Sequence, residues 1–227
     1  MKRVAVIPVY NEEGTVEEVI SRTERFVDKV IVVDDGSTDR TAEKGMKTSA
    51  EVIVLPQNMG KARALKEGFK RCQGYDLVVM LDGDLQHLPE EIPRLVEWIE
   101  KGLDLCVGSR FFCEFRNMPA TSRFSNRVAS LVVSRLAGLR VTDPQSGFRA
   151  IRLEGLNRLE LRAEGYAIEH IMILEAARRG LRMGEVPISC VYGSETSSVR
   201  PVRDTFRVMY HILRFLLGRS GSDSIHR

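Results

Sequence analysis

The chain is 227 residues long, enough to bury one sizeable core and to form a single large α/β domain. Its 43% hydrophobic and 29% charged residues are those of a soluble globular protein and exclude a disordered or fibrous one. The net charge of +3 says less than its layout: all 8 lysines lie at or before Lys101 and every later basic position is arginine. The arginine fork suits phosphate oxygens, and the plainer alternative is compositional drift or a solvated basic face.

Met1-Lys2-Arg3 passes straight into a strand-like run, Val4 to Val9, with no secretory apolar core or cleavage site, so a cytosolic chain is expected. Further short apolar runs follow at Val30 to Val33, Val52 to Leu55, Leu77 to Leu81 and Leu103 to Val107. They show no polar alternation, which suits strands of a parallel sheet covered on both faces. Between them, helical periodicity covers Thr15 to Phe26, Thr38 to Lys47, Lys61 to Arg71 and Pro89 to Lys101, with Ser37, Asp39 and Pro89 as start signals. Four consecutive β-α units with right-handed crossovers predict an open, doubly wound, mostly parallel sheet flanked by helices.

After Arg110 the pattern changes. A turn-rich segment, Phe112 to Ser122, precedes helices near Arg123 to Ala137 and Ile168 to Arg179, with Asp143-Pro144-Gln145-Ser146-Gly147 between them and a strand over Met183 to Val191. A last helix, Val202 to Leu217, places Phe206, Met209, Leu213 and Leu216 on one stripe and Arg203, Arg207 and Arg214 largely off it. It is too short and too charged to cross a bilayer, and packs on the domain or lies on a membrane surface. The expected organisation is a main domain over 1–200 and an amphipathic helix with a tail over 201–227. Cys72, Cys106, Cys113 and Cys190 have neither disulfide nor zinc spacing and are expected to be reduced and mostly buried.

Polar residues collect just after the strands: Pro8-Val9-Tyr10-Asn11-Glu12, Asp34-Asp35-Gly36-Ser37, Asn58-Met59-Gly60-Lys61, Asp82-Gly83-Asp84 and Gly108-Ser109-Arg110. Singly, each reads as ordinary turn and cap chemistry. Together they would converge on the carboxyl edge of a parallel sheet, where ligands bind. Asp82 and Asp84 repel unless a cation lies between them or one is protonated, and oxygen ligands of this kind favour Mg²⁺ or Mn²⁺ bridging to substrate phosphates. Tyr10 to Gly14 lacks G-x-G-x-x-G and Gly60-Lys61 lacks the rest of a phosphate loop, which disfavours a dinucleotide dehydrogenase and a P-loop NTPase. An aspartyl phosphatase also uses D-x-D after a strand, but its motif belongs to the first strand and continues differently.

In combination these motifs resemble the family 2 inverting glycosyltransferases of GT-A fold, in particular the dolichol-phosphate mannose synthase and polyprenyl-phosphate sugar transferase branch. The matching residues are Ile7 to Glu12, Val33 to Asp39, Asn58 to Gly68, Asp82 to His87, Gly108 to Arg110, and Asp143 to Arg149. The resemblance implies that Pro8, Tyr10, Glu12, Val33 and Asp35 contact the nucleoside with Asp82 and Gly83 nearby, and that Asp84 and Gln86 hold the metal. It also implies Arg110 and Arg123 around the transferred sugar and the acceptor phosphate, with Ser146 and Gly147 shaping the acceptor side. Longer members continue into transmembrane helices, which this sequence lacks.

The implied reaction moves a mannose- or glucose-type hexose from a GDP- or UDP-linked donor to dolichyl or polyprenyl phosphate, at the cytoplasmic face of a membrane. A phosphate monoester is mostly dianionic near neutral pH, its second pKa being ~6, so it needs little activation. Asp84, Arg110 and Arg123 would then carry the chemistry, and His87 and Glu169 are nearby residues whose plainer role is packing or support. A hydroxyl acceptor, a silent nucleotide-sugar module and a nucleotidyltransferase are the alternatives. No nucleic-acid partner is expected; a second subunit or a separate membrane partner is the other candidate for the last helix.

Overall fold

Unbroken apolar runs become strands here because helices cover both faces of one sheet. The computed structural model describes residues 1–112, 120–162, 165–189, 210 and 212–214. Its strands are β1 (Arg3–Val9), β2 (Lys29–Asp34), β3 (Glu51–Val54), β4 (Leu77–Met80), β5 (Leu105–Ser109), β6 (Arg149–Arg152) and β7 (Met183–Pro187). They form a seven-stranded sheet in the order β3-β2-β1-β4-β6-β5-β7. All neighbours pair in parallel except β6, which runs antiparallel to both β4 and β5. The helices are α1 (Val16–Thr23), α2 (Thr41–Gly45), α3 (Lys61–Phe69), α4 (Ile92–Glu100), α5 (Ala120–Ala137), α6 (Leu153–Asn157) and α7 (Ile168–Arg178).

Alternate strand residues serve opposite layers. Val4, Val6, Ile31, Val33, Val78 and Met80 pack with Ala64 and Leu65 of α3 and Ile171 and Leu174 of α7. Ala5, Ile7, Val30, Val32 and Val79 pack with Val19 and Ile20 of α1 and Leu95 and Ile99 of α4. The strand order reverses between β1 and β4, so the first and fourth strand loops flank a switch point, the usual place for a ligand in such sheets.

The expected open, mostly parallel sheet and its flanking helices are present, while several boundaries moved. The helix expected over Thr38 to Lys47 shortens to Thr41–Gly45, because Asp39 folds its carboxylate onto the Thr41 N–H at 2.9 Å. Strand β6 and helix α6 went unread: Arg149–Arg152 holds only Ala150 and Ile151 between two arginines, and the pattern does not show that Arg149 is itself buried. Of the expected last helix only Tyr210 and residues 212–214 are described; there Ile212 joins the core that holds Val133. Cys113, Cys190 and most of 112–122 lie outside the described residues. Cys72 and Cys106 are free and buried, and burial pushes both thiols up to about 12. No helix among the described residues is long and apolar enough to cross a membrane.

Helix α3 carries Lys61 to the sheet edge, and its closeness to the sheet depends on Gly68. A Cβ there would run into Val6 Cγ1 and come within 3.2 Å of Val33 Cγ2. Neither branched side chain can swing away. Gly68→Ala should therefore cost about 1–3 kcal/mol, as overpacking does, and lower the thermal midpoint by several degrees at ~2–4 °C per kcal/mol for a chain of this size. An unchanged melting temperature would show that the α3–β1 packing is looser than described.

Candidate functional site

The loops after β1, β2 and β3 are stitched into one surface by short polar side chains. Asn11 adopts φ 56°, a left-handed conformation asparagine tolerates, and its N–H donates to Ser37 Oγ at 2.9 Å. The Thr38 N–H returns to Asn11 Oδ1 at 2.8 Å, and the Glu12 N–H donates to Thr41 Oγ1 at 2.8 Å. Asp34 receives the Ser37 N–H at 2.9 Å and its hydroxyl at 2.5 Å. Asp35 receives the N–H groups of Met59 at 2.8 Å and Gly60 at 2.7 Å, one on each oxygen. Burial raises the Asp35 pKa, and those two N–H donors offset part of the rise. Gly36, at φ 70°, lies so near the third loop that a Cβ would stand 2.6 Å from Gln57 Cα.

The Asp82-Gly83-Asp84 turn leans on β1, since a Cβ on Gly83 would approach Val9 Cγ1 to 2.6 Å and Glu12 Cγ to 3.7 Å. Leu85 takes φ 57°, and the Gln86 N–H folds back onto Asp84 Oδ1 at 3.0 Å. Lys61, the first residue of α3, reaches Asp82 Oδ1 at 2.5 Å and Glu169 Oε1 at 2.8 Å. Burial works against its ammonium, but the two carboxylates overcome it and raise the Lys61 pKa. Burial likewise works against the Asp82 carboxylate, yet Lys61, His87 and Arg110 hold its pKa below the usual range. Gly147 closes over the pair: a Cβ there would lie 2.8 Å from Lys61 Nζ and 2.9 Å from Asp82 Cγ. His87 is buried beside Phe148, ring centroids 5.5 Å apart, and burial pushes its pKa down to about 4, so the imidazole is neutral near pH 7.

Arg110 leaves the end of β5 and is held edge-on by Asp143, Nε to Oδ2 at 2.7 Å and Nη2 to Oδ1 at 2.9 Å. Asp143 is fully buried. Its loop is also tied by Arg149, which donates to the carbonyls of Pro144 at 2.9 Å, Ser146 at 2.9 Å and Glu169 at 2.6 Å. Burial lowers the Arg149 guanidinium to about 10, still cationic near pH 7. Because β6 is antiparallel, the segment preceding it arrives at the same edge as the loops that follow the parallel strands.

The expected site residues thus meet in part. Pro8, Tyr10, Glu12, Asp35, Asp82, Gly83, Asp84, Gln86, Arg110 and Gly147 all lie at this edge, with Tyr10 43% exposed at the rim. The Val33 side chain is fully buried in the core against α3, and Ser146 is buried with its Oγ accepting the Phe148 N–H at 3.3 Å. Arg123 is on α5, and its side chain is outside the described residues. Lys61, Asp143, Arg149 and Glu185 were not singled out, although the first three lie in the quoted motifs. No spacing rule says that Lys61 pairs with a residue 21 positions on and another 108 on. No group of three or more His, Cys, Asp or Glu suited to a metal occurs among the described residues. Asp84 and Gln86 offer a hard-oxygen pair, which fits an ion completing its shell from phosphate and water.

A family model described as "Glycosyl transferase family 2" matches residues 4–159. The chain is 33% identical over 238 residues to a protein of Pyrococcus furiosus named dolichol-phosphate mannosyltransferase, covering 99% of this chain and 66% of that one. It is 34% identical over 242 residues to the UDP-N-acetylglucosamine–dolichyl-phosphate N-acetylglucosaminyltransferase of Methanococcus voltae, covering 94% and 96%. Among solved structures, Mycobacterium tuberculosis glucosyl-3-phosphoglycerate synthase with Mn²⁺, UDP and glucosyl-3-phosphoglycerate superposes with a TM-score of 0.76 at 26% identity, covering 97% and 80%.

Lys61 pairs with two carboxylates at once with a side chain only 13% exposed. Lys61→Met keeps much of the volume and removes the charge, leaving Asp82 and Glu169 facing each other. Breaking a buried pair costs about 3–5 kcal/mol, or on the order of 10 °C in melting temperature at this size. A variant melting within a degree or two of the parent would show that the triad is not holding the edge together.

Proposed function

We propose that this chain, which belongs to glycosyl transferase family 2, moves a mannose- or glucose-type hexose from a GDP- or UDP-linked donor to dolichyl or polyprenyl phosphate, inverting the anomeric centre. The carrying observation is the pairing of acidic side chains with cations in the cleft. Asp82 and Glu169 face Lys61, Asp143 faces Arg110, and His87 is a buried neutral ring. Such a cleft suits a nucleophile that arrives ionised, as a phosphate monoester does with a second pKa of ~6, better than a hydroxyl awaiting a base. In the reaction a phosphate oxygen of the lipid bonds to the anomeric carbon. The bond from that carbon to the donor's diphosphate breaks on the opposite face, and the nucleoside diphosphate leaves. The names of the two archaeal relatives, each containing dolichol or dolichyl phosphate, support the same acceptor class.

Each residue then has a defined task. Tyr10, Glu12 and Asp35 belong to the loops that would receive the nucleoside, with Pro8, Val33 and Gly83 beneath them. Lys61 cancels the charge of Asp82, so a diphosphate can approach the turn without meeting two bare carboxylates. Asp84 and Gln86 would hold Mg²⁺ or Mn²⁺, which when bound supplies charge neutralisation for the departing diphosphate. Arg110, locked by Asp143, and Arg123 would bring the sugar and the acceptor phosphate together, with Ser146 and Gly147 shaping that side. Transfer to a hydroxyl acceptor is the second reading, favoured by the likeness to glucosyl-3-phosphoglycerate synthase.

A lipid acceptor also implies a membrane surface. Helix α5 has no acidic residue and exposes Val128, at 36%, and Leu131, at 71%, between the exposed Arg127 and Arg135. That mixture of arginine and apolar side chains fits an anionic bilayer surface.

Asp84→Ala should reduce turnover by on the order of 10² or more, the scale of losing one key electrostatic group. The assay follows nucleoside diphosphate release and lipid-linked sugar by mass, with Mg²⁺ or Mn²⁺ and a short polyprenyl phosphate. Full activity in the variant would remove Asp84 from the metal site, and a glycosylated soluble hydroxyl compound with no lipid product would overturn the acceptor assignment. For the surface, the protein should sediment with vesicles containing anionic phospholipid, and Leu131→Glu should release much of it. Binding unaffected by that change, or no binding by the parent, would discard α5 as the membrane face.

A further inference from the structure

We propose that Glu185, on β7, is a positioning residue for sugar transfer: it fixes the Thr142–Asp143 backbone and, through Asp143, the plane of the Arg110 guanidinium. The inference rests on the reading that Arg110 works at the transferred sugar and the acceptor phosphate. Glu185 belongs to none of the motifs and touches neither the Asp82-Gly83-Asp84 turn nor the loops after β1 and β2.

The chain of contacts is continuous. Glu185 pairs across the sheet with Val107, in the strand that ends at Ser109 and delivers Arg110. Its carboxylate accepts the Thr142 N–H, 2.9 Å from each oxygen, the Asp143 N–H at 3.1 Å on Oε1 and the Thr142 hydroxyl at 2.8 Å on Oε2. Asp143, so fixed, grips Arg110 through both carboxylate oxygens and also accepts the Arg110 backbone N–H at 3.1 Å. Ser109 Oγ lies 2.7 Å from Thr142 Oγ1. Since the Thr142 proton goes to Glu185, the Ser109 hydroxyl donates to Thr142, which ties the residue before Arg110 into the same network.

An arginine side chain has many rotamers, and a phosphate-binding fork is useful only in one plane. Two strands and one loop here converge to choose that plane. Three donors converge on Glu185, and a carboxylate, which only accepts, answers all of them. Glutamine would keep the two N–H bonds on its oxygen and donate its amide to Thr142 Oγ1 if the hydroxyls reverse, but that amide also stands where the Thr142 N–H points, donor against donor, so it restores the network only in part. Leucine answers none of them.

The test is a double-mutant cycle on turnover. Glu185→Leu should lower kcat by about 10- to 100-fold, the range expected when a reacting group is misplaced by about an ångström. The donor KM should stay within about twofold, because the donor loops are untouched. Glu185→Gln should recover part of the lost turnover and lie between the parent and Glu185→Leu. In an Arg110→Ala background, Glu185→Leu should add less than about a twofold further loss, since residues acting as a unit are not additive. The same factor in both backgrounds, or parental turnover in Glu185→Leu, would overturn the proposal. If Glu185→Leu does not fold by circular dichroism, Glu185→Asp, which keeps the charge and withdraws it by one methylene, takes its place in the cycle with the same two outcomes. Parental turnover in Arg110→Ala alone would instead overturn the role given to Arg110, and the positioning role with it.

Discussion

One ammonium group set between two carboxylates determines much of this site. Lys61 begins α3, Asp82 follows β4, and Glu169 lies in the first turn of α7, so a single side chain joins three elements remote in sequence. The pairing is demanding: charges this close to the core persist only if opposed, and losing one member strands the others. Its surroundings are shaped to permit it. Gly60, at φ 88°, turns the chain so that the helix starts at Lys61, and Gly147 leaves the space a Cβ would fill. Gly68 then lets the helix sit low enough on β1 for the lysine to reach across the switch point.

A second constraint comes from topology. Five parallel strands, β1 to β5, deliver residues to the site by the loops that follow them, but Asp143 to Gly147 precede their strand. They reach the same edge because β6 is reversed, with Arg149 opposite both Met80 and Val107. Arg149 is buried at that first position and spends its donors on three carbonyls, two of them in the loop it anchors. The reversed strand and the buried arginine work as one device, which places the Arg110 partner and the glycine beside Lys61.

This separates what the sequence could disclose from what it could not. The parallel strands were legible because burial on both faces writes runs such as Val78-Val79-Met80 without alternation. The site edge was legible because polar residues recur directly after those runs. Strand β6 was hidden: two arginines frame two apolar residues, and the rule that buries Arg149 depends on carbonyls supplied by Pro144, Ser146 and Glu169. Asp82 and Asp84 show the same limit. In the sequence the two carboxylates share one need for a cation, whereas in the fold Asp82 faces Lys61 and Asp84 closes a turn with Gln86. Spacing reveals that charges are near one another, not which countercharge each will find.

That division of labour bears on the chemistry. If both carboxylates had faced outward without a lysine, the cleft would repel the diphosphate and the acceptor phosphate alike. With Asp82 and Glu169 sharing Lys61, and Asp143 paired with Arg110, three carboxylates near this edge have a cationic partner inside the protein. Each of these three carboxylates has a cationic group at 2.5 to 2.8 Å. The cations that hold the fold together at this edge are thus the same ones that lessen its repulsion of an anionic ligand, which couples stability to binding.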